Sequence, residues 1–229
     1  MNPIFLLLPI SIFLLPWNLL AGAPATLETV LSVMDRAGTE FRDMTASIDQ
    51  IDYTAVIQDT TRETGKVAIK KTRGAQMLMR VDLSSPDPKT ATFNGDKAEV
   101  YYPQIQTVQV WNLGRYRNLV DQFLLLGFGS PISELKKNYG VRLMGTEAIE
   151  GEVTTHLELV PKSAEAKQYL SSVELWINTR GYPLRQKFNF PSGDYKQVTY
   201  KNMRINVGIS DAAVKFTAPP GVKRVHPDK

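Results

Sequence analysis

The sequence predicts a mainly β protein of the α+β class: an open, curved antiparallel sheet of about eleven strands, an incomplete β-barrel, with helices across one face. Three observations predict it. From about Thr45 onward, apolar residues recur with a period of two in short segments. Turn residues separate those segments at short intervals, as antiparallel connections require. One helix precedes them, with a single apolar stripe that needs a surface to lie on.

Taken in order, residues 4–20 form an apolar run, followed by the small-x-small pattern Ala21-Gly22-Ala23 and then Pro24. That layout is expected of a cleaved secretory signal over 1–23, leaving 24–229 as one domain. No Lys or Arg precedes the run. The rival reading is a membrane anchor, but Pro9, Pro16 and Asn18 interrupt it. In 26–44 the residues Leu27, Val30, Leu31, Met34, Ala37 and Phe41 fall at three- and four-residue steps, behind Thr26 as a plausible N-cap.

Strands are predicted over 53–57, 66–71, 76–83, 90–93, 98–102, 108–111, 141–144, 153–160, 172–177, 184–190 and 195–205. Asn94-Gly95-Asp96 marks a tight hairpin, because glycine supplies the positive φ such a turn needs. Thr179-Arg180-Gly181-Tyr182-Pro183 marks another turn. Helices are predicted over 116–127 and 163–169. The stretch RNLVDQFLLLGFG, residues 117–129, is apolar on every side of a helix around 123–126, yet too short to cross a bilayer, which takes about 20 apolar residues. No repeat or linker divides the chain, so a single domain is expected.

Alternation assigns side chains to faces. Met77, Met79, Val81 and Leu83 oppose Leu78, Arg80 and Asp82; Val173, Leu175 and Ile177 oppose Glu174 and Trp176; Leu184, Phe188 and Phe190 oppose Arg185, Lys187 and Asn189. With Phe93 and Trp111, this inward set is large and soft. It fits an ordinary sheet core covered by helices. It fits also, though less directly, a sheet curved enough to leave an apolar cavity, and periodicity leaves both open.

The remaining composition is mostly exclusion. Net charge is +4 and the isoelectric point about 9.2, but Lys and Arg are interspersed with Asp and Glu, so no nucleic-acid surface is expected. There is no cysteine, which excludes disulfides, thiolate metal sites, thiol catalysis and lipid attachment at a cysteine. His156 and His226 have no neighbours at ligand spacing, so no metal or cofactor is expected. Glu147, Glu150 and Glu152 read as a solvated turn, and Asp49 and Asp52 as a pair that nothing marks. No enzyme is expected.

Several segments, in order, resemble the LolA family of periplasmic lipoprotein carriers. The chain opens with an amphipathic helix after a signal. Gly65-Lys66-Val67-Ala68-Ile69-Lys70-Lys71 leads through Thr72-Arg73-Gly74 to 76–80. Phe93-Asn94-Gly95-Asp96-Lys97 opens an aromatic strand that ends in Pro103. Leu159-Val160-Pro161-Lys162 resembles the family's L-x-P-K strand end, and Phe216-Thr217-Ala218-Pro219-Pro220-Gly221-Val222 its terminus. The family's Trp after the basic pair is Met79 here, and its Pro after the Arg is Gly74.

The resemblance implies helices forming a lid over a concave face that takes acyl chains. It implies a lipid-binding cavity of Met77, Met79, Phe93, Trp111, Phe188 and Phe190, a lid containing Phe123, Leu124 and Phe128, and Arg73 as a lid latch. It also implies a periplasmic monomer that receives lipoprotein or another lipid from an inner-membrane ABC-type release complex. Delivery would be to an outer-membrane acceptor. The alternative is a non-carrier envelope module of the same fold that senses lipid or binds a protein.

Overall fold

The computed structural model describes residues 26–74, 76–114, 126–129 and 131–227. The expected signal over 1–23 and nearly all of the predicted helix over 116–127 lie outside them. The described chain runs α1 (Leu27–Glu40), β1 (Asp43–Thr54), β2 (Asp59–Lys71), β3 (Met77–Ser85), β4 (Lys89–Asn94), β5 (Lys97–Tyr102) and β6 (Thr107–Asn112). It continues with α2 (Ile132–Asn138), β7 (Tyr139–Ile149), β8 (Glu152–Pro161), α3 (Ala164–Tyr169), β9 (Ser172–Asn178), β10 (Pro183–Asn189), β11 (Tyr195–Ile205) and β12 (Lys223–Val225).

All twelve strands form one open sheet in the order β12-β6-β5-β4-β3-β2-β1-β11-β10-β9-β8-β7. Two antiparallel meanders, β1–β6 and β7–β11, are thus joined side by side where β1 pairs with β11. The β12 strand, which alternation does not reveal in only three residues, adds in parallel to β6.

Thr26 starts α1 with a reciprocal cap: its hydroxyl accepts from the Thr29 amide at 3.2 Å, and the Thr29 hydroxyl accepts from the Thr26 amide at 2.9 Å. The helix ends at Glu40, short of the predicted Met44. Met44, Ala46 and Ile48 alternate onto the concave face of β1 instead, where Met44 lies between Ile69 and Ile205. The strand predicted over 53–57 therefore begins ten residues early, at Asp43, and stops at Thr54. Val56 and Ile57 sit exposed in the hairpin turn.

Curvature has a visible cause at Gly65. The register of β2 against β3 shifts there, and a Cβ on Gly65 would lie 2.2 Å from the Asp82 carbonyl oxygen. Only glycine lets the two backbones come this close and the sheet bend inward.

Across β8–β11 and β1 the convex face is cross-linked between strands by polar and charged side chains. His156, Trp176, Arg185, Thr199 and Asp49 form one row across five strands. His156 stacks on Trp176 at 4.3 Å, the indole N–H donates to Glu147 at 2.6 Å, and Asp49 pairs with Lys201 at 2.6 Å. Asp52 lies on the other face with Lys196, so the two aspartates do not pair. A register shift between Pro183 and Arg185 turns Leu184 onto the convex side against Trp176 and Ile149, away from the face of Phe188 where strict alternation puts it.

Candidate functional site

The concave face is covered unevenly. Over β8 and β9, the apolar stripe of α1 (Val30, Leu31, Met34) and two residues of α2 (Ile132, Leu135) pack on Leu157, Leu159, Val173, Leu175 and Ile177. Asp35 of α1 accepts from the Ile132 amide at 3.1 Å, which joins the two helices and supplies α2 with a partner for its first amide. Nothing in the sequence periodicity singled out α2, whose seven residues make only two turns.

At the middle of the face, the turn 126–129 plugs the sheet. Gly127 and Gly129 have φ of +85° and +77°, a conformation glycine adopts without strain, and this tight path drives Phe128 inward. Phe128 has no exposed surface. Its ring meets Tyr200 edge-on at 5.3 Å and Phe41 at 6.1 Å. A buried relay holds the turn: the Tyr200 hydroxyl donates to the Gln186 side-chain carbonyl at 2.5 Å, and the Gln186 amide donates to the Leu126 carbonyl oxygen. Burial raises the Tyr200 phenol above its ordinary pKa, so it remains a donor. Gln186 and Tyr200 are functional candidates that sequence reasoning missed. The available signal was a glutamine on the apolar face of β10.

Beyond this plug the face opens. Ile205, Met44, Ile69, Met79, Phe93, Ala98 and Trp111 make one continuous cross-strand row from β11 to β6. Along it Met44, Ile69, Met79 and Ala98 are buried, Phe93 is half-buried, and Trp111 at the β6 edge is 37% exposed. Met77, Val81 and Val100 flank the row and are half-buried. One end of the face is instead polar. Lys89 binds Glu63 at 2.6 Å, the Gln50 amide bridges Glu63 and Asp52 at 2.8 and 2.6 Å, and Lys196 binds Asp52 at 2.5 Å.

The predicted site residues are therefore split. Met77, Met79 and Phe93 belong to the central cluster with Phe128, Trp111 continues their row to the exposed β6 edge, and Phe188 and Phe190 lie at the rim of the packed cluster under α1 and α2. Phe128 is the plug between them. Phe123 and Leu124 lie outside the described residues. Arg73 is exposed in the β2–β3 turn, lining a shallow hollow of roughly 450 Å³ with Phe41, Arg42, Asp43 and Lys71. Among the described residues, no group of three His, Asp or Glu side chains is placed to hold a metal ion. No described helix is long and apolar enough to cross a membrane.

The described residues form an open half-barrel with helices on its concave side. No protein-family model and no curated protein matches the sequence. Among solved structures, MucB is similar at 13% identity and a TM-score of 0.53, covering 83% of this chain. This chain spans only 62% of the length of MucB, a protein also crystallised in complex with MucA. An uncharacterized conserved protein from Thermus thermophilus is similar at 14% identity and a TM-score of 0.53, covering 87% of this chain and 98% of its own. A LolA superfamily protein from Nitrosomonas europaea matches at 14% identity with a TM-score of 0.40. At these identities the likeness concerns the fold.

Proposed function

We propose that this protein is a periplasmic carrier that shields the acyl chains of a lipoprotein, or of another lipid, against the concave face of its sheet. The observation that carries the reading is the apolar row from Met44 to Trp111, which runs from a filled centre to a half-exposed edge. Each buried methylene of an acyl chain contributes about 0.8 kcal/mol, so a chain cannot cross water without a dry receptacle.

A carrier must also release. In the closed protein Phe128 occupies the centre of the face, and Gln186 and Tyr200 hold its turn in place. Cargo that displaces Phe128 must overcome that closure, which lowers apparent affinity and favours handover. The steps are binding and displacement, with no catalysis or cofactor. By resemblance, cargo comes from an inner-membrane ABC-type complex and goes to an outer-membrane acceptor, and export uses the signal over 1–23.

Native mass spectrometry of protein purified without detergent tests this reading. A diacylated peptide should add its mass to the wild type, and Phe123→Asp or Leu124→Asp should abolish the adduct. Uptake unchanged by both substitutions would remove the 116–128 segment from the binding face.

A second reading has its own support. The centre of the face is filled by the chain's own side chains, with Phe41, Met44, Ile69 and Phe128 essentially unexposed. A permanently closed module of this kind would bind a protein partner rather than lipid, and would take up no acylated peptide under any condition.

A further inference from the structure

Tyr139 begins β7 and belongs to the packed cluster beneath α1 and α2. It is 3% exposed, and its hydroxyl has no hydrogen-bond partner among the described residues. Other buried polar groups of the concave face are paired, Gln186 with Tyr200 and Gln50 with Glu63, and among the described residues the Asn178 side-chain amide nitrogen, at the end of β9, is the one other buried atom without a partner. A buried hydroxyl without a partner loses its water and gains nothing, which costs about 1–3 kcal/mol, and phenylalanine would fill the same space without that cost. Burial pushes the phenol up to about 12, so the group is a neutral O–H donor throughout the physiological range. An unused donor in an apolar setting is suited to a ligand that is mostly hydrocarbon and carries one acceptor.

We infer that the Tyr139 hydroxyl donates to the carbonyl oxygen of an acyl ester or amide when cargo enters beneath α1 and α2. This rests on the acyl-carrier reading and adds to it a ligand class: acyl chains recognised at their carbonyl, beyond their methylene length. Phe188 and Phe190, at the rim of the same cluster, supply the apolar wall along which the chain would lie. An ether-linked chain of equal length buries the same methylenes but lacks the carbonyl. In the wild type the ether form leaves the Tyr139 hydroxyl unpaired, whereas the ester form satisfies it.

The test compares a diacylated peptide with ester-linked chains and its ether-linked counterpart, titrated against the full-length wild type and Tyr139→Phe. The wild type should bind the ester form about five- to tenfold more tightly. Tyr139→Phe should bind both forms equally, at the wild-type affinity for the ether form, while the melting temperature of the ligand-free protein holds or rises. Equal binding of both peptides by the wild type would overturn the inference and leave the carrier reading standing. Binding of neither would overturn both. A fall of several degrees in the ligand-free melting temperature of Tyr139→Phe would show the hydroxyl already satisfied, and would also overturn the inference.

Discussion

The two ends of the concave face use the same kind of residue for different ends. Under α1 and α2, Leu157, Leu159, Val173 and Leu175 have no exposed surface, and their strands carry helices whose apolar stripes match them. Toward β6, Phe93 and Val100 are half-buried and Trp111 is exposed, although alternation presents them on the same side. Apolar area removed from water stabilises the protein, and apolar area left at the surface does not. The first region accounts for why the protein folds. The second holds apolar surface that folding leaves available to another molecule.

Substitutions can break or sharpen that contrast. The largest effect is expected at the boundary. Phe128→Ala removes a fully buried ring and should cost about 3–5 kcal/mol of stability in urea unfolding of the empty protein. Because the closed state alone is weakened, affinity for a diacylated peptide should rise about tenfold or more. A parallel loss of affinity would place Phe128 in the wall of the loaded state instead.

In the packed half, Leu175→Ala should cost about 2–5 kcal/mol, with a smaller effect on affinity measured on the folded protein. Next comes the relay: Gln186→Leu strands the Leu126 carbonyl and the Tyr200 hydroxyl. It should cost about 1–3 kcal/mol, with faster exchange of amides in the 126–129 turn as the readout. In the open half the order of effects should reverse. Phe93→Ala should cost only about 1 kcal/mol of stability yet weaken acylated-peptide binding severalfold. The smallest effect is spectroscopic: loading should shift Trp111 emission to the blue, and Trp111→Phe should remove the shift. If Phe93→Ala destabilises as strongly as Leu175→Ala, the two halves do not differ.

Much of this contrast was legible in sequence, because strand alternation is a local property. The faces assigned to 76–83 and 172–177 are those the structure displays, and the hairpin at Gly95-Asp96 follows from turn chemistry. What escaped was non-local. The bulge at Pro183–Arg185 reverses Leu184, and no alternation rule foresees where pairing with β9 slips. Met44 reads as a continuation of the α1 stripe until β2 and β11 are known to flank it. The short elements α2 and β12 offer too few residues for periodicity to speak.

The family resemblance implies one cavity holding Met79, Phe93, Trp111, Phe188 and Phe190, and alternation alone does not divide them. Their separation by Phe128 depends on a turn whose path is set by the distant Gln186 and Tyr200. Gln186 falls between Leu184 and Phe188 in the alternation of β10, and its role emerges only when Leu126 is brought to it.

The most direct measurement is photocrosslinking with a diacylated peptide bearing a diazirine near the end of one chain, followed by peptide mapping. The label should fall on β3–β6, at Met77, Met79, Phe93 or Trp111, and an excess of the same peptide without the diazirine should compete it away. Labelling confined to the convex face, or no labelling at any peptide concentration below that at which the peptide aggregates, would contradict the account.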